Sequence, residues 1–264
     1  MPRNVLLMVA DDLGRNLGCY GEKAIRTPHV DRMAKEGTLF DMAFTSTASC
    51  SPSRSVIYTG LHTHENGQYG LNNTKFHFTT FDHIETGPKL FNEAGYYTGI
   101  IGKVHVGPRY VYPWQVYEES DTRDVSWVAD RADAFFQKAK SENRPFFLTV
   151  AFIDPHRDNT RSGFGNEKDY RDVKDEIYDL KAVTVPPFLS DLPEVRTELA
   201  EYYRSINRMD QGVGKILASM DRAGMTDDTL VIFVSDNGPP FINSKTTLFD
   251  AGVRLPMIVK CPGR

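Results

Sequence analysis

The sequence predicts an α/β protein in which helices flank a mostly parallel central sheet. Four short apolar runs, rich in β-branched and aromatic residues, stop abruptly at polar residues: 5–10, 97–101, 146–153 and 230–234. Continuous runs of this kind are typical of strands buried on both faces of a parallel sheet. Segments with the apolar spacing of helices separate them, and such alternation is typical of α/β folds.

Each predicted element follows from its own residue pattern. Helices are predicted at 124–140 and 194–221, where apolar residues recur every three or four positions. Residues 158–187 are polar and end in prolines, which predicts a loop, and residues 256–260 predict a last strand. The four apolar runs are followed, in chain order, by Asp11-Asp12, by Lys103 and His105, by Asp154 and His156, and by Asp236-Asn237.

The composition is that of an ordinary globular protein and excludes disordered and fibrous classes. The 264 residues are 40% hydrophobic and 25% charged, which suffices for one large domain with its own core. Lys and Arg number 31 against 35 Asp and Glu, a net charge of −4. Because this balance lacks the basic surplus of nucleic-acid-binding proteins, we expect no nucleic-acid partner.

The cysteines and the N-terminal segment bear on the cellular compartment. Cys19, Cys50 and Cys261 are odd in number and far apart, which fits neither a disulfide framework nor a zinc site. The apolar run at 5–10 is too short for a signal-peptide core or a membrane span. These features predict a cytoplasmic protein with no membrane partner.

Oxygen donors follow two of the predicted strands. Ligands of open α/β sheets bind beyond the carboxyl ends of the strands, so Asp11, Asp12, Asp236 and Asn237 are expected at one edge. Singly, each pair is explained by a helix cap or a turn. Together, three carboxylates and an amide would repel one another without a cation. Hard oxygen ligands without nearby cysteine pairs predict Ca²⁺ or Mg²⁺.

Basic side chains are expected beside these carboxylates. Lys103 and His105 are two residues apart, so an extended backbone directs both to the same side. Arg54 and Lys245 lie in polar segments next to the other elements. Any one of them alone is explained by a solvated surface position. Converging on a metal site, they would hold a tetrahedral oxyanion.

The segment Cys50-Ser51-Pro52-Ser53-Arg54 has the spacing Cys-x-Pro-x-Arg, and with the other motifs it resembles the signature of the cysteine-type sulfatases. Four more ordered segments resemble elements of that family: 6–12, 27–31, 102–105 and the pair 236–238 with 245–256. The resemblance covers essentially the whole chain. It implies the N-terminal, alkaline-phosphatase-like α/β domain of the sulfatases over residues 1–264, with the family's C-terminal domain absent from this chain.

The resemblance also implies a chemistry for the named residues. A maturation enzyme would convert Cys50 to formylglycine, whose hydrate attacks sulfur, and one Ca²⁺ would polarise the sulfate. The implied roles are calcium ligation by Asp11, Asp12, modified Cys50, Asp236 and Asn237; charge neutralisation by Arg54, Lys103 and Lys245; leaving-group protonation by His156; and deprotonation of the formylglycine hemiacetal by His105.

The substrate class and two rival functions stay open at this point. Segments 60–67, 103–108, 154–157 and 209–214 are most similar to the sulfamidase (heparan N-sulfatase) branch, which implies sulfated amino sugars. Lys245 stands where that branch usually carries Arg, so sulfamates and sulfate esters are both expected substrates. The rivals are a phosphodiesterase or phosphonate monoester hydrolase of the same superfamily, and a truncated protein that binds metal and glycan without catalysis.

Overall fold

The computed structural model describes residues 3–73, 75–158 and 163–263, and a seven-stranded sheet forms its centre. The strands are β1 Asn4–Ala10, β2 Thr38–Phe40, β3 Tyr97–Gly102, β4 Val116–Glu119, β5 Phe146–Ala151, β6 Thr229–Ser235 and β7 Met257–Lys260. Their order across the sheet is β2-β7-β6-β1-β5-β3-β4.

The helices are α1 Pro28–Glu36, α2 Cys50–Thr59, α3 Thr63–Asn66, α4 Gly87–Glu93, α5 Val125–Ser141, α6 Pro193–Arg222 and α7 Asp250–Val253, with short 3-10 helices at Gly18–Tyr20 and Thr226–Asp228. No helix in the described part of the chain is both long and apolar enough to cross a membrane.

The predicted parallel sheet is confirmed for its central strands. β1 pairs in parallel with β5 on one side and with β6 on the other, and β5 continues in parallel to β3, which pairs in parallel with β4. The first strand is almost entirely buried, as its continuous apolar run predicts. At one edge the sheet is mixed, because β7 runs antiparallel to both β6 and β2.

Helices cover both faces of the sheet. Leu6 and Met8 of β1 pack into a core with α1, α5 and α6, whereas Leu7 and Val9 point to the other face, toward α2 and α4. This division follows from the alternation of side chains along a strand. The α5 helix starts where Asp124 caps it, with its carboxylate accepting from the Ser126 and Trp127 amides.

Several short elements were not predicted from the sequence. Strands β2 and β4 contain three and four residues, too few for a clear alternation. Strand β5 ends at Ala151 rather than at residue 153. The predicted loop at 158–187 has no helix or strand in its described residues, which are 158 and 163–187; residues 159–162 lie outside the described ranges.

Candidate active site

The predicted strand ends lie side by side. Strands β6, β1, β5 and β3 are consecutive neighbours in the sheet, so their carboxyl ends meet along one edge, as in other open α/β sheets. This edge receives, in that order, Asp236 and Asn237, Asp11 and Asp12, Asp154 and His156, and Lys103 and His105. Residues separated by more than 200 positions in the chain thereby come into contact.

Cys50 begins helix α2 and points into this edge. Its thiol is buried, and its Sγ lies 3.5 Å from Asp11 Oδ1 and 3.8 Å from Asp12 Oδ1. Burial, reinforced by the charge of Asp11, raises the pKa of the Cys50 thiol. The unmodified side chain is therefore protonated at neutral pH and is a weak nucleophile.

Arg54 lies one helical turn after Cys50 and is completely buried. Its Nε donates to Asp236 Oδ2 at 2.8 Å, and its Nη1 donates to the Lys103 carbonyl at 2.9 Å. Its Nη2 lies 3.9 Å from Asp11 Oδ1 and has no hydrogen-bond partner among the described residues. Arg54 thus links three strand ends and keeps one donor nitrogen free for an oxyanion.

Two lysines pair with the aspartates that follow β1. Lys103 Nζ forms an ion pair with Asp11 Oδ2, and Lys245 Nζ lies 2.6 and 2.8 Å from the two oxygens of Asp12. Three cations therefore face three buried carboxylates: Arg54, Lys103 and Lys245 against Asp11, Asp12 and Asp236. The formal charges of this set cancel, and the attractions between them are strong because little water reaches them.

The cluster shifts the pKa values of Asp11 and Asp236 in opposite directions. Burial alone would raise the pKa of Asp11, but the charges of Lys103, His156 and Arg54 bring it well below its usual range. Burial and the charge of Asp11 raise the pKa of Asp236 to about 7. A divalent cation among these carboxylates would favour the ionised form of all of them.

The two predicted catalytic histidines lie on the same side of the cluster. His156 Nε2 is 3.8 Å from Asp12 Oδ2, and its Nδ1 contacts the Arg157 carbonyl, which indicates that Nδ1 carries a proton. Burial, together with the charge of Lys103, lowers the pKa of His105 to about 3. The His105 ring is therefore neutral at neutral pH, and in this environment it is a weaker base than an ordinary histidine.

Several donor atoms of the cluster lie close enough together to hold a metal ion. Single ligand atoms from Asp11, Asp12, Cys50 and His156 all lie within 4.8 Å of one another. The buried Oδ1 of Asn237 accepts no hydrogen bond from any described residue, so this amide oxygen is available to a metal. Asp236 lies in the same cluster, but its oxygens accept from Arg54 Nε and from the Asp12 amide.

A cavity of about 780 Å³ opens beside the cluster and provides room for a substrate. Its wall includes Lys103, His105 and His156, and it continues to Glu119 and Tyr170. A ligand in this cavity can therefore contact His105, His156 and Lys103.

Sequence reasoning missed the network beneath His156. The buried carboxylate of Asp154 forms an ion pair with Arg123, and it accepts from Arg208 Nε at 2.6 Å and from Ser205 Oγ at 3.1 Å. Arg123 also donates to the His156 carbonyl at 2.8 Å. The available sequence signal was a charged residue, Arg208, inside the apolar stripe of the predicted helix 194–221.

We expect Asp154→Asn to lower the free energy of unfolding by about 3–5 kcal/mol, because it leaves two buried guanidinium groups without their shared carboxylate. Urea denaturation measures this change. The matched control is Asp175→Asn, whose partner Arg204 lies one helical turn before Arg208 but whose own carboxylate is exposed. Equal shifts of the two denaturation midpoints would contradict the expectation.

Comparison with known proteins agrees with this geometry. The Sulfatase family model matches residues 3–264. Human N-sulphoglucosamine sulphohydrolase is 43% identical over 283 aligned residues, which cover 99% of this chain and 55% of that protein. The chain thus spans about half the length of this curated relative.

Solved structures share the fold. A protein in complex with its substrate D-glucosamine-2-N,6-O-disulfate superposes with a TM-score of 0.75 at 20% identity, covering 99% of this chain and 72% of that one. The phosphonate monoester hydrolase of Agrobacterium radiobacter gives a TM-score of 0.69 at 20% identity, covering 100% and 68%. The family match and the relative at 43% identity carry more than fold, and they show that the chain belongs to the sulfatase family.

Proposed function

We propose that this protein is a sulfatase that hydrolyses sulfated amino sugars, with N-sulfoglucosamine groups as preferred substrates. The observation that carries the proposal is the position of Cys50 at the start of α2, with Sγ 3.5 Å from Asp11 and three cations around the same carboxylates. The relative named N-sulphoglucosamine sulphohydrolase supports the choice of substrate.

The metal site is part of the same proposal. Asp11, Asp12, Asp236, Asn237 and modified Cys50 would hold one Ca²⁺, and single ligand atoms of Asp11, Asp12 and Cys50 already lie within 4.8 Å of one another. Bound there, calcium would polarise the oxygens of the sulfate group. The support from the structure is the set of buried oxygen donors, among them Asn237 Oδ1, which accepts no hydrogen bond within the described part of the chain.

The nucleophile requires a change to Cys50, and a formylglycine-generating maturation enzyme is therefore the proposed partner. A formylglycine hydrate at this position would supply the oxygen that attacks sulfur. The raised pKa of the unmodified thiol supports this need, because a protonated, buried thiol reacts poorly.

The cations of the site would bind and hold the sulfate group. Arg54 Nη2 has no hydrogen-bond partner in the described ranges, and the ammonium groups of Lys103 and Lys245 pair with the carboxylates beside Cys50. Positioned charges that cost no reorganisation stabilise an oxyanion more than mobile water does. Lys245 would bind the sulfate group as a point charge, without the fixed two-nitrogen fork of an arginine. We therefore propose cleavage of O-sulfate as a second activity.

The two histidines would divide the proton transfers. His105 is neutral, and its proposed role is to accept a proton during release of sulfate, when the anionic group beside it would raise its lowered pKa. Burial lowers the pKa of His156, while Asp11 and Asp12 oppose this shift. An anionic substrate beside His156 would favour its charged form further, so that it could protonate the departing nitrogen or oxygen.

His156→Ala is expected to reduce kcat/KM for N-sulfoglucosamine by about 10²–10⁴-fold, because without a proton the nitrogen would have to leave as an amide anion, a very poor leaving group. The loss for an activated aryl sulfate should be much smaller, since a phenolate leaves readily without a proton. His83→Ala, at an exposed histidine, is the matched control. Equal losses on both substrates would contradict the assigned role of His156.

The experiment that tests the proposed function compares kcat/KM for four substrates: N-sulfoglucosamine, 6-O-sulfated glucosamine, an aryl sulfate and an aryl phosphonate ester. We expect the sulfamate to be cleaved most efficiently. Cleavage of only the O-sulfates would remove the sulfamate preference, and a dominant phosphonate activity would favour the rival hydrolase, whose fold this chain shares.

Two further expectations belong to the proposal. All predicted site residues fall between Asp11 and Lys245, which supports residues 1–264 as the catalytic domain of a sulfatase. Cys19, Cys50 and Cys261 are free thiols, and a reducing, cytoplasmic compartment stays a prediction.

A further inference from the structure

The turn that carries Asp11 and Asp12 is held by hydrogen bonds from four consecutive amides, each to a different group. The Asp11 amide donates to the Asp154 carbonyl at 3.2 Å. The next two donate to groups at the end of β6, at 3.1 Å to Asp236 Oδ1 and at 2.9 Å to Ser235 Oγ. The fourth, from Gly14, donates at 3.0 Å to the hydroxyl of Tyr202. The bond from Gly14 joins the turn to helix α6.

Tyr202 also contacts the turn as a donor. Its hydroxyl donates to the carbonyl oxygen of Asp12 at 2.8 Å, so one buried hydroxyl joins the backbone on both sides of Leu13. The ring is completely buried in the core beneath the turn and packs against Tyr203, Phe164 and Phe241. The position of the hydroxyl is therefore fixed by packing.

The backbone of Asp12 needs such support. Its φ is 64°, in the left-handed region that residues other than glycine seldom adopt. A backbone of this kind persists when surrounding contacts fix it. The same conformation aims the Asp12 carboxylate at Lys245 and places it 3.8 Å from Cys50 Sγ. A loss of the bonds on either side of Leu13 would let this carboxylate turn away.

We propose that Tyr202 is a positioning residue for the metal site, and that its hydroxyl sets calcium affinity by holding Asp12 in its left-handed conformation. The inference rests on the proposed function, because it requires a metal at Asp11 and Asp12. It adds a residue from α6, a helix that supplies none of the predicted ligands. Outer-shell partners that orient a ligand typically change metal affinity by about 10–100-fold when they are removed.

Tyr202→Phe tests the inference, and Tyr203→Phe is its matched control. Both tyrosines are buried and adjacent, and each hydroxyl has a polar partner, but Tyr203 donates to Glu22 Oε2 at 2.8 Å, away from the turn. Both variants should lose thermal stability. Calcium affinity, measured by isothermal titration calorimetry on the whole protein, should fall about 10-fold or more in Tyr202→Phe and stay within about twofold of wild type in Tyr203→Phe.

The outcomes separate this inference from the proposed function. Wild-type protein that binds no calcium overturns the metal site and this inference together. Calcium binding that is equal in wild type and Tyr202→Phe overturns the role of Tyr202 alone. An equal loss of affinity in both tyrosine variants also overturns it, because general loosening of the core then explains the result.

A second variant covers the case in which Tyr202→Phe does not fold. Replacement of Tyr202 by 4-aminophenylalanine keeps a donor for the Asp12 carbonyl in a ring of the same shape. Its calcium affinity should stay within about threefold of wild type, since the bond to Asp12 is retained. A loss of calcium affinity of about 10-fold or more, which is the size expected when an outer-shell partner is missing, would overturn the inference.

Discussion

Cys50→Ala is expected to abolish hydrolysis of sulfamates and sulfate esters, with kcat lower by roughly 10⁴-fold or more. The reason is that position 50 is the place from which the proposed nucleophile reaches sulfur. Cys50 is the first residue of α2, and its Sγ lies 3.5 Å from the Asp11 carboxylate, which pairs with Lys103. An alanine there can neither be converted to an aldehyde nor attack, whereas the binding groups around it stay in place.

The other two cysteines supply the controls for that result. Cys19 and Cys261 are also free thiols, and Cys19→Ala and Cys261→Ala should retain full turnover when each is coexpressed with a maturation enzyme. Peptide mass spectrometry should find the CH₂SH group of residue 50 converted to CHO in the active protein and in both control variants. Undiminished turnover by Cys50→Ala would show that the nucleophile lies elsewhere.

Asp11→Asn combined with Asp236→Asn is expected to reduce calcium affinity by roughly 100-fold or more, because calcium sites depend strongly on the number of charged ligands. The amides keep the shape of the carboxylates but remove two of the three negative charges in the cluster. Calorimetric titration measures the affinity, and circular dichroism establishes that the variant is folded, since Arg54 and Lys103 lose their partners.

Glu119→Gln is the control for this double variant. Glu119 is also a carboxylate and lines the cavity beside the cluster, yet it lies outside the group of clustered ligand atoms. Its substitution should leave calcium affinity unchanged within about twofold, as expected for a carboxylate that is not a ligand. Unchanged affinity in the double variant would mean that the metal site is assigned to the wrong residues.

The central fold could be predicted because its elements carry strong local patterns. The runs that became β1, β3, β5 and β6 are continuous and apolar, and the buried stripe of the 30-residue helix α6 runs from Leu199 to Met220. The edge strands could not be predicted in this way. Residues 38–40 form β2 through antiparallel pairing with β7, a partner more than 200 positions away, and nothing in three residues reveals such a partner.

The candidate site could be predicted residue by residue, but its contacts could not. A polar residue after an apolar run predicts a place at the edge of the sheet, and the order of the strands then decides which of these residues meet. Asp236 illustrates the difference. The sequence predicts that it is a metal ligand, and the structure shows its oxygens accepting from Arg54 and from the Asp12 amide.

By itself, the sequence determined the α/β class, the strand ends and the residue types that deliver the chemistry, because apolar runs, turn residues and the Cys-x-Pro-x-Arg spacing are local properties of the chain. Only the tertiary structure decided that Asp154 holds two buried arginines and that Tyr202 fastens the turn at Asp12. The physical reason is that a buried polar group must find a partner wherever the packing of distant segments places one.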